Sequence, residues 1–245
     1  MRAKSRCAIE FDGIIIDNEI KDYMTINVEG RQLLTHTLDT ADIAGRVGDV
    51  ITASKVPARD IKVYFLLKAG RNKEFLNKIK RLTEILYTNK EVKFRFNDEE
   101  GYRIGQVTSF EDPPYDQNTG IGNYTMHCSD PFIYFEERES TGTMPRLKYR
   151  KYPIKVESIT AKLSQGSKAI VRNVTQGTKI ILNGNFTAGG ELIITDETIT
   201  INGQNALTML DYVESDYHDF KIYSEDEIMG VGLSDLKIKY RECAL

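Results

Sequence analysis

The chain has 245 residues, 40% of them hydrophobic and 28% charged, with a net charge of −3. That composition supports a packed core and argues against wholesale disorder. The small negative charge gives no global reason to expect specific nucleic-acid binding, and no apolar run approaches the ~18 residues needed for membrane insertion.

The chain opens MRAKSRCAIEFDG, which is basic but lacks the apolar run of a signal peptide, so synthesis and folding in a cytoplasm are expected. The cysteines are Cys7, Cys128 and Cys243, and the histidines are His36, His127 and His218. None of them falls in a CxxC or HExxH frame, so no metal or cofactor is expected.

The segment from Leu38 to Val56, LDTADIAGRVGDVITASKV, alternates poorly. Gly45 and Gly48 flank Arg46 and Val47, which suits the turn at the tip of a hairpin arm. A lone two-stranded arm is at best marginally stable in water and needs a surface to lie on. IKVYFLLK follows, with Ile61, Val63, Phe65 and Leu67 on one face of a strand. NKEFLNKIKRLTEILYTN changes period: Phe75, Leu76, Ile79, Leu82 and Leu86 fall at helical spacing. Asn72 suits the N-cap of this amphipathic helix and Asn89 its stop. EVKFRFNDEEGYRIGQV then reads as a hairpin whose turn holds Asp98, Glu99 and Glu100.

In MHCSDPFIYF (126–135), His127, Cys128, Ser129 and Asp130 stand side by side. IGNYTMHCS alternates as a strand, so His127 and Cys128 point to opposite faces. A nucleophile needs its base within hydrogen-bond reach, and this geometry denies it. Cys128 is therefore expected to be a small buried hydrophobe and His127 solvent-facing, with Asp130-Pro131 ending the strand.

After Tyr134 the polar stretch EERESTGTMPRLKYRKYPIK reads as a linker or crossover. Short strands follow in AIVRNV, GTKIILNGN, GGELIIT, TITINGQN and DLKIKYREC, with turns at Asn183-Gly184, Gly189-Gly190 and Asn202-Gly203. That pattern indicates a β-sandwich or jelly roll. The expected fold is mainly β: an α+β domain with one amphipathic helix at 1–138, and a β-sandwich at 139–245.

At this point the chain resembles a known family. A strand ending in cysteine, followed by Ser-Asp-Pro-aromatic, is similar to the signature of the siphophage distal tail proteins. In the same order, Phe11-Asp12-Gly13 resembles the family's early Phe-x-Gly, and AGRVGDV (44–50) its Gly-Arg-x-Gly element. ARDIKVYFLL resembles its Arg-x-Ile-x-Val strand. The match spans nearly the whole chain, although the C-terminal part is shorter and poorer in aromatics than the family pattern. The resemblance implies a structural protein with no enzymatic activity. It implies a homohexameric ring, single or two stacked, at the end of a long non-contractile tail. The ring's central channel would let DNA pass, and its galectin-like sandwiches would point outward. The implied partners are the tail tube protein, a tail-tip protein and, in some phages, a receptor-binding protein. The implied location is the virion, with assembly in the host cytoplasm. The resemblance also suggests that the arm lies on the neighbouring subunit. Ile43, Val47, Val50 and Ile51 would then bury there, with Arg46 or Asp49 making a polar contact.

Other chemistry is weaker. Asp98, Glu99 and Glu100 on a solvated turn hold no fixed separation of the kind that paired glycosidase carboxylates need. The acidic run Asp211, Glu214, Asp216, Asp219, Glu225, Asp226 and Glu227 lacks calcium-loop spacing, and reads as a solvated loop or a docking surface. Arg146, Lys148, Arg150, Lys151 and Lys155 interleave with Tyr149 and Tyr152, and favour an interdomain strand or an acidic neighbour over nucleic acid. The alternative function is a carbohydrate-binding module on the C-terminal sandwich for host-surface attachment. It would use Tyr212, Tyr217 and Tyr223, in a chain without Trp.

Overall fold

The computed structural model describes residues 5–114 and 118–245; residues 1–4 and 115–117 lie outside the described set. The chain divides into two compact units, residues 1–133 and 134–244.

The first unit runs β1 (Ile9–Phe11), β2 (Ile14–Ile15), a single helical turn α1 (Ile16–Glu19), β3 (Tyr23–Glu29), β4 (Thr37–Asp42), β5 (Asp49–Lys55), β6 (Arg59–Lys68), α2 (Asn72–Leu86), β7 (Val92–Phe96), β8 (Arg103–Glu111) and β9 (Thr119–Cys128). Seven of these strands form one sheet in the order β2-β1-β7-β8-β9-β6-β3. Alternation decides which side chains enter the core. Ile61, Val63, Phe65 and Leu67 of β6 are all fully buried, as are Tyr124, Met126 and Cys128 of β9. The strands pair antiparallel with Arg59 opposite Cys128 and Ile61 opposite Met126, so both apolar sets share one face.

Helix α2 joins this core through Phe75, Ile79, Leu82, Ile85 and Leu86. Each such side chain stabilises the fold by about 1.5–3 kcal/mol when fully buried. The helix end differs from the sequence expectation. Arg71 is the N-cap, and Asn72 is already helical. The Glu74 carboxylate accepts the Gly70 N–H at 3.1 Å, so an acidic side chain in the first turn ties down the backbone just before the N-cap. The helix ends at Leu86, before Asn89.

The second unit contains β10 (Ile133–Ser140), β11 (Lys155–Leu163), β12 (Gly166–Asn173), β13 (Lys179–Phe186), β14 (Glu191–Ile194), β15 (Ile199–Ile201), β16 (Gln204–Asn205), β17 (Ile228–Val231) and β18 (Leu233–Ala244). A six-stranded sheet, β10-β18-β11-β14-β15-β16, and a three-stranded sheet, β13-β12-β17, enclose a second core. Two 3₁₀ turns, at 207–209 and 217–219, add short helical structure to it.

The stretch expected to be a linker or crossover belongs to this unit. β10 pairs with β18, and Met144, Leu147 and Ile154 are buried in the second core. The Leu147 N–H donates to Ser224 Oγ at 2.9 Å, and the Lys148 N–H to the buried Glu242 at 3.1 Å. The division therefore falls at 133/134 rather than at 138/139, because β10 gives its backbone hydrogen bonds to the second unit.

Candidate functional site

The polar stretch at the end of β9 resolves into two unrelated environments. Cys128 is fully buried. Burial pushes its thiol up to about 12, although the nearby Arg103 and Arg59 cations pull the other way. A thiol that keeps its proton is a poor nucleophile. His127 leaves the opposite face, where its Nδ1 lies 2.7 Å from Asp60 Oδ1 and its side chain is 44% exposed. Ser129 is bound by Glu91. Asp130 accepts the Phe132 N–H at 3.0 Å, closing a turn across Pro131.

The arm is a separate two-stranded sheet of β4 and β5. Every residue of these strands is exposed except Val50, which is half-buried. At the tip, Arg46 N–H donates to Ile43 O at 3.1 Å. Gly45 and Gly48 both take left-handed backbone, with φ of 82° and 81°, which a side chain would resist. Val47 is completely exposed, and Ile43 is 52% exposed.

Register separates the remaining arm residues. Thr40 faces Ile51 and Ala41 faces Val50, while Thr52 is the extra residue of a bulge between the pairs Asp39–Ala53 and Thr40–Ile51. Leu38 and Ile51 therefore share one face, and Ala41, Val50 and Ala53 share the other. The arm does not present Val50 and Ile51 to one flat surface; it is apolar on both sides. Asp42 and Asp49 are directly opposed at the tip. Such a like-charge pairing costs an isolated hairpin stability.

The carboxylates of the β7–β8 turn are not the loose solvated groups the sequence suggested. Arg31 donates to both Asp98 oxygens, at 2.7 and 3.0 Å, and this holds the Asp98 carboxyl below the usual range. Glu99 is gripped by Arg103 and lies 3.6 Å from Arg31. Arg59 and Arg103 are each only 2% exposed. Arg59 entered the sequence analysis only as the Arg of the Arg-x-Ile-x-Val strand, and neither its burial nor that of Arg103 was expected. The signal was present for Arg59, because the alternation of Ile61, Val63, Phe65 and Leu67 extends back onto it.

In the second unit, three residues of the acidic run act as local braces. Asp211 accepts the N–H groups of Val213 and Glu214, and Asp216 accepts that of Lys179. Asp226 is buried and accepts from Asn173, Gln176 and Tyr223. No group of His, Cys, Asp and Glu able to hold a metal ion occurs among the described residues.

Of the basic run, Arg150 and Lys151 sit in a turn, Arg146 and Lys148 lie in irregular backbone, and Lys155 opens β11, a strand within the second unit. Tyr149 stacks on Phe135 at 5.0 Å with Lys148 over its ring. Of the three tyrosines considered for sugar binding, Tyr212 is 66% exposed, whereas Tyr217 and Tyr223 are half-buried. Tyr217 also donates its hydroxyl to Thr195 O at 2.7 Å. No helix among the described residues is long and apolar enough to cross a membrane.

Comparison with known proteins gives this arrangement a context. Residues 12–127 match the family model of the phage tail protein RIFT-related domain. Residues 151–243 match that of the siphovirus-type tail component, C-terminal domain. The distal tail protein of Bacillus phage SPP1 is 23% identical over 215 residues, 83% of this chain and 84% of that protein. The crystal structure of SPP1 Dit, described as a paradigm of the hub adsorption apparatus in phages infecting Gram-positive hosts, matches with a TM-score of 0.77. Its identity is 17%, over 97% of this chain and 99% of that one. A chain of the phage p2 baseplate in its activated conformation matches with a TM-score of 0.51 and 12% identity, over 91% of each chain. The ordered motifs, the mainly β fold and the two adjoining family models agree: the chain belongs to the siphophage distal tail protein family.

Proposed function

We propose that the chain is a structural component of a phage tail tip, forming a homohexameric ring at the distal end of a long non-contractile tail. In this reading the ring adapts the tail tube to the tail-tip protein and the receptor-binding apparatus, and the chain catalyses no reaction. Support for a tail-tip role comes from the relatives, which are tail and baseplate components.

The single observation that carries the ring is the arm. It is a two-stranded excursion with no buried residue of its own and apolar side chains on both faces. Such a hairpin is marginal alone, and a neighbouring copy would supply the missing surface. One interface repeated around a rotation axis closes into a ring. Leu38 and Ile51 on one face, with Ile43 and Val47 at the tip, would form the main apolar contact. Val50 would meet a different surface, and Arg46 or Asp49 would make polar contacts at the rim.

The test is deletion of Thr40 to Ser54 with a short Gly linker. The expected product is a folded, soluble monomer that no longer forms rings. Normal assembly of the deleted protein would overturn the arm as the joining element.

A further inference from the structure

The root of the arm carries a network that neither the family models nor the arm's own sequence assigns. The chain leaves β3 at Glu29, crosses Gly30-Arg31-Gln32, makes the excursion from 33 to 58, and returns at Arg59, the first residue of β6. Arg59 Nη1 donates to Gly30 O at 2.7 Å and to Gln32 O at 2.8 Å. One side chain on the returning strand thus holds two carbonyls of the departing one. Its Nε and Nη2 are buried without an acceptor among the described residues. A guanidinium held in this way is costly to keep.

A second set of contacts holds Arg31, the middle one of these three residues. Arg31 forks onto Asp98 and lies over the Phe96 ring, 4.9 Å from its centroid. Glu99, which also lies 3.6 Å from Arg31, is in turn anchored by the buried Arg103. Gly30 has φ of 86°, and a Cβ there would stand 2.1 Å from Asp60 O. The departing backbone is therefore pressed against the start of β6.

We propose that this network is a lock at the arm root. It ties the two ends of the 33–58 excursion together and fixes the point from which the arm projects. Arg59 and Arg31 are its positioning residues: Arg59 acts through the Gly30 and Gln32 carbonyls, Arg31 through Asp98 and Glu99. The proposal rests on the reading of the arm as the assembly element. Closing a long excursion at its root removes chain freedom before a partner is met. A partner then meets an arm already aimed, and the ordering cost does not fall on assembly. The freedom left lies in residues 33–36 and 56–58, where Pro57 restricts its own φ.

The experiment measures arm order and assembly separately, in the full-length chain. Spin labels are placed at Val47→Cys and Lys73→Cys in a Cys7→Ser background, and the distance distribution between them is recorded for the monomer. The lock predicts one narrow distribution, at least doubled in width by Arg31→Ala and by Asp98→Asn. Without labels, the same two variants should need about tenfold more protein for half-assembly, as expected if the aimed state falls to about a tenth of the population. Unchanged widths in both variants would overturn the lock. Wider distributions with unchanged assembly would overturn the positioning role. If Arg31→Ala fails to fold, Asp98→Asn, which keeps its shape and loses only charge, decides. If the unaltered chain forms no ring at any concentration, the assembly reading fails, and the distance widths still decide whether the lock exists.

Discussion

The Cys128 thiol and the His127 imidazole leave β9 from opposite faces, one buried in the core and the other held at 2.7 Å by Asp60 at the surface. Cys128→Ala should therefore cost only about 1 kcal/mol of packing, and His127→Ala should leave the thermal midpoint unchanged. Neither should alter assembly. Loss of assembly in Cys128→Ala with an unchanged melting temperature would contradict a purely structural thiol.

The same burial sets a pH dependence. The folded thiol is raised to about 12, above an unfolded value of about 8.5. Its contribution to stability is present in full below the unfolded value. It is lost as pH rises from there through about 12, because the unfolded chain ionises first. Stability at alkaline pH should fall less in Cys128→Ala than in the unaltered chain. In native protein a thiol reagent should label the half-buried Cys7 and spare Cys128 and Cys243, which are buried. Denaturant should expose all of them.

Glycines with the same backbone conformation should differ in cost. Gly30 and Gly48 both have positive φ, but a Cβ on Gly30 would meet Asp60 O at 2.1 Å, while one on Gly48 would meet nothing within 4 Å. Gly48→Ala should cost roughly 1 kcal/mol of local strain, and Gly30→Ala roughly 3 kcal/mol or more. Chemical denaturation of the two variants checks the order. Equal costs would show that the root of the arm yields.

Buried partners should matter where exposed pairs do not. Glu99→Ala strips the counter-ion from Arg103, which is 2% exposed, and should cost roughly 3 kcal/mol. Lys162 and Asp235 also pair, at 2.8 Å, but both side chains are about 60% exposed. Lys162→Ala should leave the denaturation midpoint in place.

In the second unit, Asp226→Ala removes the acceptor of Asn173, Gln176 and Tyr223. It should cost roughly 3 kcal/mol, because donors in a buried site lose their partner. Hydrogen exchange should report the loss in β12 and around Tyr223. Protection in β6 and β9, which belong to the first core, should persist. Equal loss in both cores would contradict that separation.

Local periodicity made much of this fold legible. Alternation in β6 and β9 and the helical spacing of Phe75, Ile79, Leu82 and Leu86 led to the observed buried faces, although Leu76 of the same set is only half-buried, because burial on one face imposes the period. What stayed hidden depended on distance in sequence. Nothing near Asp98 announces Arg31, 67 positions away, so the turn read as solvated. Met144, Leu147 and Ile154 have no strand or helix period, and their stretch read as a linker or crossover although it lines the second core. The arm was visible through Gly45 and Gly48. That Val50 and Ile51 face opposite ways follows from their adjacency on one strand, and the bulge at Thr52 sets which residues join each of them.

In the proposed function, copies of this chain close into a ring through the arm. Mass photometry of the full-length chain across a concentration series, with images of the heaviest species, tests it most directly. The expected result is a monomer that converts to closed six-membered rings as concentration rises, and a monomer alone when Thr40 to Ser54 are removed. A monomer at every concentration and salt, or rings that persist without the arm, would contradict it.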